Sequence, residues 1–593
     1  VKADGKEVHN LTNSGYSDSN GKWVLGGKAM LFQSDRAGYR SHGSWGAEDD
    51  AYIMFFDLDA YNRFNISKEE IELADANKDD KEKKEDEKKE EAKKKADEKQ
   101  KKTGKIEVEK VKPLELDIEN CRDRIVRLTA NSSHMGDAVL SKDGDKLYYQ
   151  AAFEDGYDLW QHDLKDGSTK LVMKGVGQGN LQTDKDVKNL FICNGSSIKK
   201  VDLSGFSTKN ISFEANFNYK PAEERQYLFD HVWRQVKDKF YDPKIHGVDW
   251  EGYRKTYEKF LPYINNNFDF QEMLSEMLGE LNASHTGARY YASNSALTTA
   301  NLGVFFDPQY QGDGLKIQEI IKRGPFDVKN TGVTAGSIIE SIDGEEIKAG
   351  MDYFPLLDGK VGKNVRLGIR NAKGKKMEVT VKAISQGSLN NLLYKRWVDR
   401  NRAFVDSISG GRIAYVHVKA MNSESFRTVY SELLSDKNRN RDAVIVDERH
   451  NGGGWLHDDL CTLLNGKQYQ EFVPHGKVVG RDPFNKWVKP SCVMICENDY
   501  SNGHGFPWVY KELGIGKLIG APVAGTMTAV WWETLMDNTL VFGIPQVGCR
   551  DMRGVFGENT QLNPDIEVYN SPEDFINGHD TQLERAVKEM MKK

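Results

Sequence analysis

One serine of the chain occupies a position at which its hydroxyl could act as a nucleophile. Ser501 lies between segment 492–498, whose apolar run predicts a strand, and segment 505–515, which predicts a helix. A serine at a strand-to-helix turn exposes its hydroxyl, and the backbone N–H of Asn502 then points into the same space. The N-terminal end of the helix favours a developing oxyanion. A serine that only caps the helix is the alternative, and Ser501 alone does not decide between the two.

Three consecutive glycines could supply further donors for such an oxyanion. Residues 452–454 follow a second segment that predicts a strand, 442–449. Glycines allow positive φ angles and a close approach of the backbone to a ligand, and among the N–H groups of this loop we favour that of Gly453. An ordinary glycine-rich loop is the alternative. Nucleotide binding is not expected, because the pattern G-x-x-x-x-G-K-[ST] is absent.

A nucleophilic serine also needs a base, and base and oxyanion donors each contribute roughly 10²–10⁴ in rate. The candidates are His285, directly after Ser284 at the end of a predicted helix, and Glu558 in GENTQLNPDI (557–566). Neither a single histidine nor a single glutamate identifies a site by itself. No His/Cys cluster has metal-ligand spacing and H-E-x-x-H is absent, so we expect no metal and no cofactor.

The N-terminal part of the chain, residues 1–215, predicts short antiparallel strands separated by Asp-Gly and Gly-Asn turns. A spacing near 40 residues is typical of β-propeller blades, although the visible strands are too few to close a propeller, and a β-sandwich is the alternative. Segment 67–105 is nearly all Lys, Glu, Asp and Ala. It has no apolar stripe, so we expect a solvated helix or a disordered excursion.

The remainder of the chain predicts three further parts. Helical periodicity covers residues 216–300, and strands alternate with helices over 391–593, which indicates an α/β layer. Between them, residues 301–390 contain GSIIESIDGEEI (336–347), which resembles the strand–turn–strand of a PDZ domain. Leu302, Gly303 and Val304 stand where a PDZ domain binds a peptide carboxylate. A structural PDZ domain with a covered groove is the alternative.

The order Ser-His, PDZ, NGGG, strand–Ser–helix and E-N-x-x-x-x-P-D-I resembles the tricorn protease family of the C-terminal-processing serine peptidases. The resemblance covers residues 220–593 closely and the N-terminal strands more loosely. It implies a multidomain fold: a partial β-propeller-like region, a helical first catalytic subdomain, a PDZ domain and an α/β second catalytic subdomain. The joint occurrence of these motifs in this order is far more specific than any one of them.

The resemblance also implies a role for each candidate residue. Ser501 would attack the scissile carbonyl, and His285 would take its proton and deliver it to the leaving amine. Ser284 and Glu558 would form a relay that orients the imidazole. The oxyanion hole would use the N–H groups of Asn502 and Gly453. The family often has Asp after the nucleophile, so Asn502 is a departure; we interpret the nearby His504 as structural.

Composition limits the partners that the chain would have. The chain of 593 residues has a formal net charge of −7 and no extended basic face, so nucleic acid is not expected as a partner. No apolar run reaches the roughly 18 residues of a membrane span. The first residue is Val1, and we expect a processed, periplasmic protein, with a cytoplasmic one as the alternative. The resemblance suggests a homo-oligomer.

These observations predict a serine endopeptidase that cleaves peptides or unfolded polypeptides. The alternative is a non-catalytic scaffold that binds peptides through its PDZ and propeller-like parts. The joint presence of Ser501, His285 and Glu558 favours the enzyme. A third hypothesis, an acyl-thioester enzyme with a glycine-built oxyanion hole, is disfavoured by the separate Ser-His pair and by the PDZ module.

Overall fold

In a computed structural model, the chain forms two compact units, Val1–Asn218 and Tyr219–Lys593. The described residues are 1, 4–39, 47–67, 69–70, 114–154, 156–195, 197–292, 297–329 and 331–592. Nearly all of the charged segment 67–105 lies outside these ranges, so its predicted character stays a prediction.

The first unit contains three antiparallel sheets of four strands, and each strand pairs with its neighbours in chain order. The first sheet comprises β1 (Asp18–Val24), β2 (Ala29–Ser34), β3 (Asp50–Phe55) and, after helix α1 (Leu58–Asn65), β4 (Ile125–Arg127). The second comprises β5 (His134–Leu140), β6 (Lys146–Ala152), β7 (Asp158–Asp163) and β8 (Thr169–Met173). The third comprises β9 (Asn180–Thr183), β10 (Asn189–Cys193), β11 (Ile198–Asp202) and β12 (Thr208–Ile211).

Strand β3 is apolar at successive positions and does not alternate between apolar and polar residues. Successive side chains of a strand point to opposite faces. Ile53 and Phe55 enter one buried cluster, whereas Tyr52 and Met54 enter another. Both faces of the strand are therefore covered. The predicted antiparallel strands are confirmed, and closure into a propeller stays a prediction.

The second unit begins with three helices, α2 (Pro221–Lys239), α3 (Trp250–Glu258) and α4 (Asn267–Gly279), followed by strand β13 (Ala288–Tyr290). Asp249 and Asn266 cap the second and third helices by accepting backbone N–H groups with their side chains. The apolar faces of these helices share one buried cluster. The loop that carries Ser284 and His285 therefore follows directly on a packed helical core.

The PDZ-like module is a sheet of six antiparallel strands. The strands are β14 (Val304–Phe306), β15 (Leu315–Ile320), β16 (Ile338–Ile342), β17 (Glu345–Glu346), β18 (Asn364–Arg370) and β19 (Lys376–Lys382). Asp343 and Gly344 join β16 to β17 with φ angles of 50° and 95°. Two positive φ angles make this the tight hairpin turn that the Asp-Gly pair predicts.

The last part contains helices α5 (Gln386–Ile408), α6 (Ser423–Leu433), α7 (Asp436–Arg439), α8 (His457–Leu464), α9 (Asn502–Glu512), α10 (Pro572–Asn577) and α11 (Thr581–Met590). Its strands are β20 (Ile413–His417), β21 (Ala443–Asp447), β22 (Gln470–Phe472), β23 (Gly480–Asp482), β24 (Ser491–Ile495), β25 (Lys517–Gly520), β26 (Thr528–Thr534), β27 (Leu540–Gly548) and β28 (Ile566–Glu567). Five of them form a parallel sheet in the order β20-β21-β24-β25-β28.

Apolar clusters cover both faces of the parallel sheet, so its central strands are continuous apolar runs. Helix α5 begins at Gln386, so the predicted boundary between residues 390 and 391 falls inside a helix.

The strand predicted over 540–545 lies outside the parallel sheet that contains the other four strands predicted for the α/β part. It is the start of β27, which pairs with β26 on one side and with β13 on the other, both antiparallel. A short strand from the helical region thus joins a hairpin that lies about 250 residues later in the chain. This sheet ties the two parts of the second unit together next to His285.

One buried carboxyl group at the end of β21 has no compensating contact. The Glu448 side chain is 0 % exposed, and neither of its oxygen atoms has a hydrogen-bond partner within the described ranges. Burial raises the pKa of Glu448 well above its usual range, so the group is protonated at neutral pH. The adjacent Asp447 is equally buried, but it accepts hydrogen bonds from Arg449 and Tyr415.

These two neighbours predict opposite effects on stability. Glu448→Met removes an unpaired polar group and should raise the free energy of unfolding by about 1–3 kcal/mol. Asp447→Asn, the matched control, breaks a buried ion pair and should lower it by about 3–5 kcal/mol. Tryptophan fluorescence during thermal unfolding measures both. A lower midpoint for Glu448→Met would contradict the absence of a partner.

Candidate active site

Ser501 lies at a strained turn between β24 and α9. Its φ and ψ are 58° and −120°, a conformation that residues other than glycine rarely adopt. Its backbone N–H donates a hydrogen bond to Thr526 Oγ1 at 2.9 Å. The side chain makes no capping hydrogen bond to the helix. The hydroxyl is therefore not used as a cap, which removes the structural alternative for Ser501.

The glycine loop passes directly against this serine. Gly453 has a φ of 97°, and a Cβ atom placed on it would lie 2.5 Å from Cβ and 3.0 Å from Oγ of Ser501. A side chain at this position would displace the nucleophile. Glycine at 453 thus provides the close approach that an oxyanion site requires.

The two predicted oxyanion donors differ in their present partners. The Asn502 N–H is at the first position of α9, where a helix offers no acceptor, and none is found in the described part of the chain. The Gly453 N–H instead donates to Asn451 Oδ1 at 2.9 Å. One predicted donor is therefore open, and the other is engaged by a neighbouring side chain.

The imidazole of His285 is held by contacts on two sides. Its Nδ1 lies 2.7 Å from Ser284 Oγ and 3.0 Å from Thr528 Oγ1. Its backbone N–H donates to the Tyr500 hydroxyl at 2.7 Å, and the two rings have centroids 4.9 Å apart. Because Tyr500 precedes Ser501, these contacts bring His285 beside the nucleophile across 215 residues of sequence.

A relay of hydrogen bonds continues from the imidazole to a buried carboxylate. Ser284 Oγ donates to Glu558 Oε2 at 2.9 Å, and the Ser284 backbone N–H donates to Oε1. Since the Ser284 proton points to Glu558, its oxygen accepts the proton of His285 Nδ1. The remaining nitrogen, Nε2, therefore carries a lone pair and can act as a base.

Burial sets the protonation states of this relay. It lowers the pKa of His285 to about 4, so the imidazole is neutral at pH 7. Burial also raises the pKa of Glu558, whose side chain is 5 % exposed, while the hydrogen bonds from Ser284 act in the opposite direction. A neutral imidazole is the form that accepts a proton from a serine.

No hydrogen bond joins Ser501 Oγ to His285 among the residues that the structure describes. Contacts between a nucleophile and its base are often loose without substrate and tighten in the reacting complex. The structure therefore brings all four predicted residues to one place: Ser501, His285, Ser284 and Glu558.

Two threonines that sequence reasoning missed also support the site. Thr526 holds the backbone of Ser501, and Thr528 contacts the imidazole of His285. Thr528 is the first residue of β26, and Thr526 lies two residues before it. A Thr-x-Thr pattern before a strand was the available signal, but nothing local connects it to a serine 25 residues away.

The side chains of Asn502 and His504 are both engaged in hydrogen bonds with neighbouring backbone groups. Asn502 Oδ1 accepts the backbone N–H groups of Leu456 and His457, at 2.7 and 3.1 Å, and so caps the start of α8. His504 is buried, and its Nδ1 accepts the Thr526 N–H at 3.4 Å. The Asn502 side chain therefore serves as a buried cap of α8, while its backbone N–H stays open.

The predicted peptide-binding loop lies at the edge of the PDZ-like sheet. Leu302 is buried, Gly303 has a φ of 69°, and Val304 opens β14. Strand β14 pairs only with β15 in the described part of the chain, which leaves its other edge open. On that strand Phe306 packs edge-to-face against Tyr353, with ring centroids 5.7 Å apart. The backbone edge is thus open while aromatic side chains fill the space beside it.

Comparison with known proteins agrees with this architecture. Residues 221–279 match the family model described as the Tricorn protease C1 domain, residues 307–386 match the Tricorn protease PDZ domain, and residues 412–568 match Peptidase family S41. The three matches follow one another in the order that the motifs predict. Over these three segments the chain matches the tricorn protease family and peptidase family S41.

Individual relatives support the same assignment. The chain is 29 % identical over 388 residues to a "Putative Tricorn-like protease C-terminal subunit" of Sulfurisphaera tokodaii, covering 63 % of this chain and 44 % of that protein. It is 26 % identical over 459 residues to a "Tricorn protease homolog" of Saccharolobus solfataricus, covering 73 % of this chain and 41 % of the relative. The chain thus spans less than half the length of these tricorn relatives.

A solved structure shows the same fold. The crystal structure of the tricorn protease matches all of this chain and 56 % of its own, with a TM-score of 0.76 and 17 % sequence identity. The expected multidomain fold is therefore confirmed, with N-terminal β-sheets, a helical region, a PDZ domain and a parallel-sheet domain.

Two features are absent from the described ranges. No helix there is long and apolar enough to cross a bilayer. No group of three or more His, Cys, Asp or Glu side chains there could hold a metal ion.

The close approach of the glycine loop predicts different effects for two neighbouring substitutions. Gly453→Ala should slow the reaction of Ser501 with a fluorophosphonate about 100-fold or more, because its Cβ would displace the serine. Gly452→Ala is the matched control, since a Cβ there meets no atom within 4 Å. Labelling rates under identical conditions measure both. Equal rates for the two variants would contradict the contact.

Proposed function

We propose that this tricorn family chain is a serine endopeptidase, with Ser501 as nucleophile and His285 as general base. The observation that carries the proposal is the buried relay from Glu558 through Ser284 to His285, which ends beside a strained and uncapped Ser501. A relay of this kind fixes the tautomer and orientation of an imidazole, which a serine hydroxyl needs in order to attack.

The reaction follows from the geometry of these groups. His285 Nε2 removes the proton of Ser501 Oγ as that oxygen attacks the scissile carbonyl of a peptide. The tetrahedral oxyanion is stabilised by backbone N–H groups, each worth about 10²–10³ in rate. His285 then protonates the leaving amine, which leaves an ester on Ser501. A water molecule, deprotonated by the same imidazole, hydrolyses this ester and restores the serine.

We propose the N–H groups of Asn502 and Gly453 as the oxyanion donors. The Asn502 N–H is open and at a helix N-terminus, where the helix dipole also favours negative charge. The Gly453 N–H is bound to Asn451 Oδ1, a neutral amide oxygen. A charged oxyanion is the stronger acceptor, so the Gly453 N–H would turn toward it when substrate binds.

The proposed substrates are peptides or unfolded polypeptides. The open edge of β14 beside Leu302, Gly303 and Val304 would add an extended chain as a further strand, which is the usual peptide-binding mode of a PDZ domain. We further propose a homo-oligomer, as the resemblance implies, and a periplasmic location, with a cytoplasmic one as the alternative.

The competing function is a peptide-binding scaffold without turnover. The strained and uncapped Ser501 favours the enzyme over this scaffold. The intact relay at His285 also favours the enzyme, because a scaffold needs no oriented base.

Covalent labelling tests the proposed nucleophile. A fluorophosphonate should modify Ser501 in the native chain, as peptide mapping would show, and Ser501→Ala should abolish that label. His285→Ala should slow labelling by about 10²–10⁴, because the base is lost. Protein unfolded in urea, which lacks the assembled relay, is the control and should not react. Persistent labelling of Ser501→Ala would identify a different nucleophile.

The protonation state of His285 predicts the pH dependence of peptide cleavage. Its pKa of about 4 lies below the ordinary histidine value, so the imidazole stays neutral through the mildly acidic range. The value of kcat/KM should therefore be level between about pH 5 and 7 and fall only as the pH approaches 4. Circular dichroism at each pH controls for acid unfolding. A decline centred near pH 6.5 would show that the imidazole is solvated.

A further inference from the structure

A cavity of about 610 Å³ lies against the candidate active site. Its wall includes Trp455, which follows the glycine loop, and Gly557, which precedes Glu558. It also includes Met527, between the two threonines that contact Ser501 and His285. The immediate chain neighbours of the catalytic groups thus form one side of the cavity.

Helix α9 connects the cavity to the nucleophile. His504, Trp508 and Lys511 line the cavity, and they follow Ser501 at intervals of three or four residues. Residues at this spacing share one face of a helix. The cavity therefore lies along one face of α9, the helix that begins directly after Ser501, and a substrate residue close to the scissile bond would reach it.

The wall of the cavity is mainly apolar. The apolar side chains that line it include Trp455, Trp508, Val509, Met527, Phe556 and Leu562. Such a surface favours the aliphatic part of a substrate residue over a fully hydrated one. A charged side chain at this wall would then select substrate residues whose polar group has the opposite charge.

The charged side chains of the cavity are neutralised with one exception. Arg553 binds Asp551 at 2.8 Å and Glu512 at 3.2 Å, and Lys511 binds Asp565 at 3.0 Å. Arg550 has no carboxylate within ion-pair distance among the described residues, and its guanidinium lies 5.9 Å from the centre of the Phe556 ring. A guanidinium held on an aromatic face keeps its donors available for a carboxylate.

We propose that Arg550 is a specificity-determining residue that binds a carboxylate of the substrate in this cavity. The carboxylate belongs either to an acidic side chain near the scissile bond or to the C-terminus of the peptide. The two sources present the same group to the guanidinium. This inference rests on the proposed peptidase function, and it adds the chemical class of the preferred substrate.

The first experiment maps cleavage sites in a denatured protein digest by mass spectrometry. The native chain should cut at a fixed distance from Asp or Glu, or at a fixed distance from free C-termini. From the best site, three synthetic peptides are made: the parent, an analogue with Gln in place of Glu, and an analogue with a C-terminal amide. The analogue that is cleaved more slowly identifies the source of the carboxylate.

Variants of Arg550 then test the residue itself. Arg550→Gln should lower kcat/KM for the parent peptide about 10–100-fold, the usual range for a charged hydrogen bond, and should remove the discrimination against the neutral analogue. Arg550→Lys should retain part of this discrimination, because lysine keeps the positive charge but lacks the paired N–H donors of the guanidinium. The matched control is Arg412→Gln, at the opposite end of the parallel sheet, where the arginine is exposed and paired with Asp442. It should leave both values unchanged.

Two further measurements distinguish the proposed role of Arg550 from the proposed peptidase function. Fluorophosphonate labelling of Ser501 should be equal in native, Arg550→Gln and Arg412→Gln chains. Absence of label in the native chain would count against the peptidase, and peptide binding to Ser501→Ala by fluorescence anisotropy would still measure the carboxylate preference. Full labelling with the same Glu-to-Gln discrimination in native and Arg550→Gln chains would overturn the role of Arg550. An effect of amidation that survives in Arg550→Gln belongs to the PDZ domain.

Discussion

The hydrogen bonds between Ser284 and Glu558 are the interaction on which the site depends. They join residues that are 274 positions apart, one on the loop after α4 and the other near the end of the chain. Both groups are shielded from solvent, so the bonds are stronger than they would be at the surface. Through them the helical region and the parallel-sheet domain hold the imidazole of His285 in one orientation. Together with the pairing of β13 and β27 and the hydrogen bond from His285 to Tyr500, this link holds His285 beside Ser501.

Backbone strain at the site is supported by contacts on several sides. Ser501 and His285 both have positive φ angles, each of which costs of order 1–3 kcal/mol. Thr526 holds the N–H of Ser501, and Tyr500 accepts the N–H of His285. Gly453 leaves no space for the serine to relax toward the loop. The surrounding packing thus keeps two unfavourable conformations in place, as active sites commonly require.

Burial gives the same region its chemistry and its selectivity. Removal from water keeps His285 neutral, and it strengthens every dipole that faces the reacting carbonyl. The cavity along α9 is lined by chain neighbours of this site, so a substrate residue bound there would be positioned by the elements that position Ser501. The exposed guanidinium of Arg550 at this cavity would then select among substrate residues, as proposed. Catalysis and specificity would both depend on one packed region.

The sequence by itself determined the order of parts and, through the resemblance that its motifs carry jointly, the candidate reactive groups. Local patterns predict the elements around them: an apolar strand before Ser501, glycines at 452–454, and an Asp-Gly hairpin all act over a few residues. Only the tertiary structure decided that the strand at 540–548 pairs with β13, that Asn451 holds the Gly453 N–H, and that Thr528 contacts His285. These contacts depend on which surfaces pack together, and periodicity within a segment carries no information about its partner.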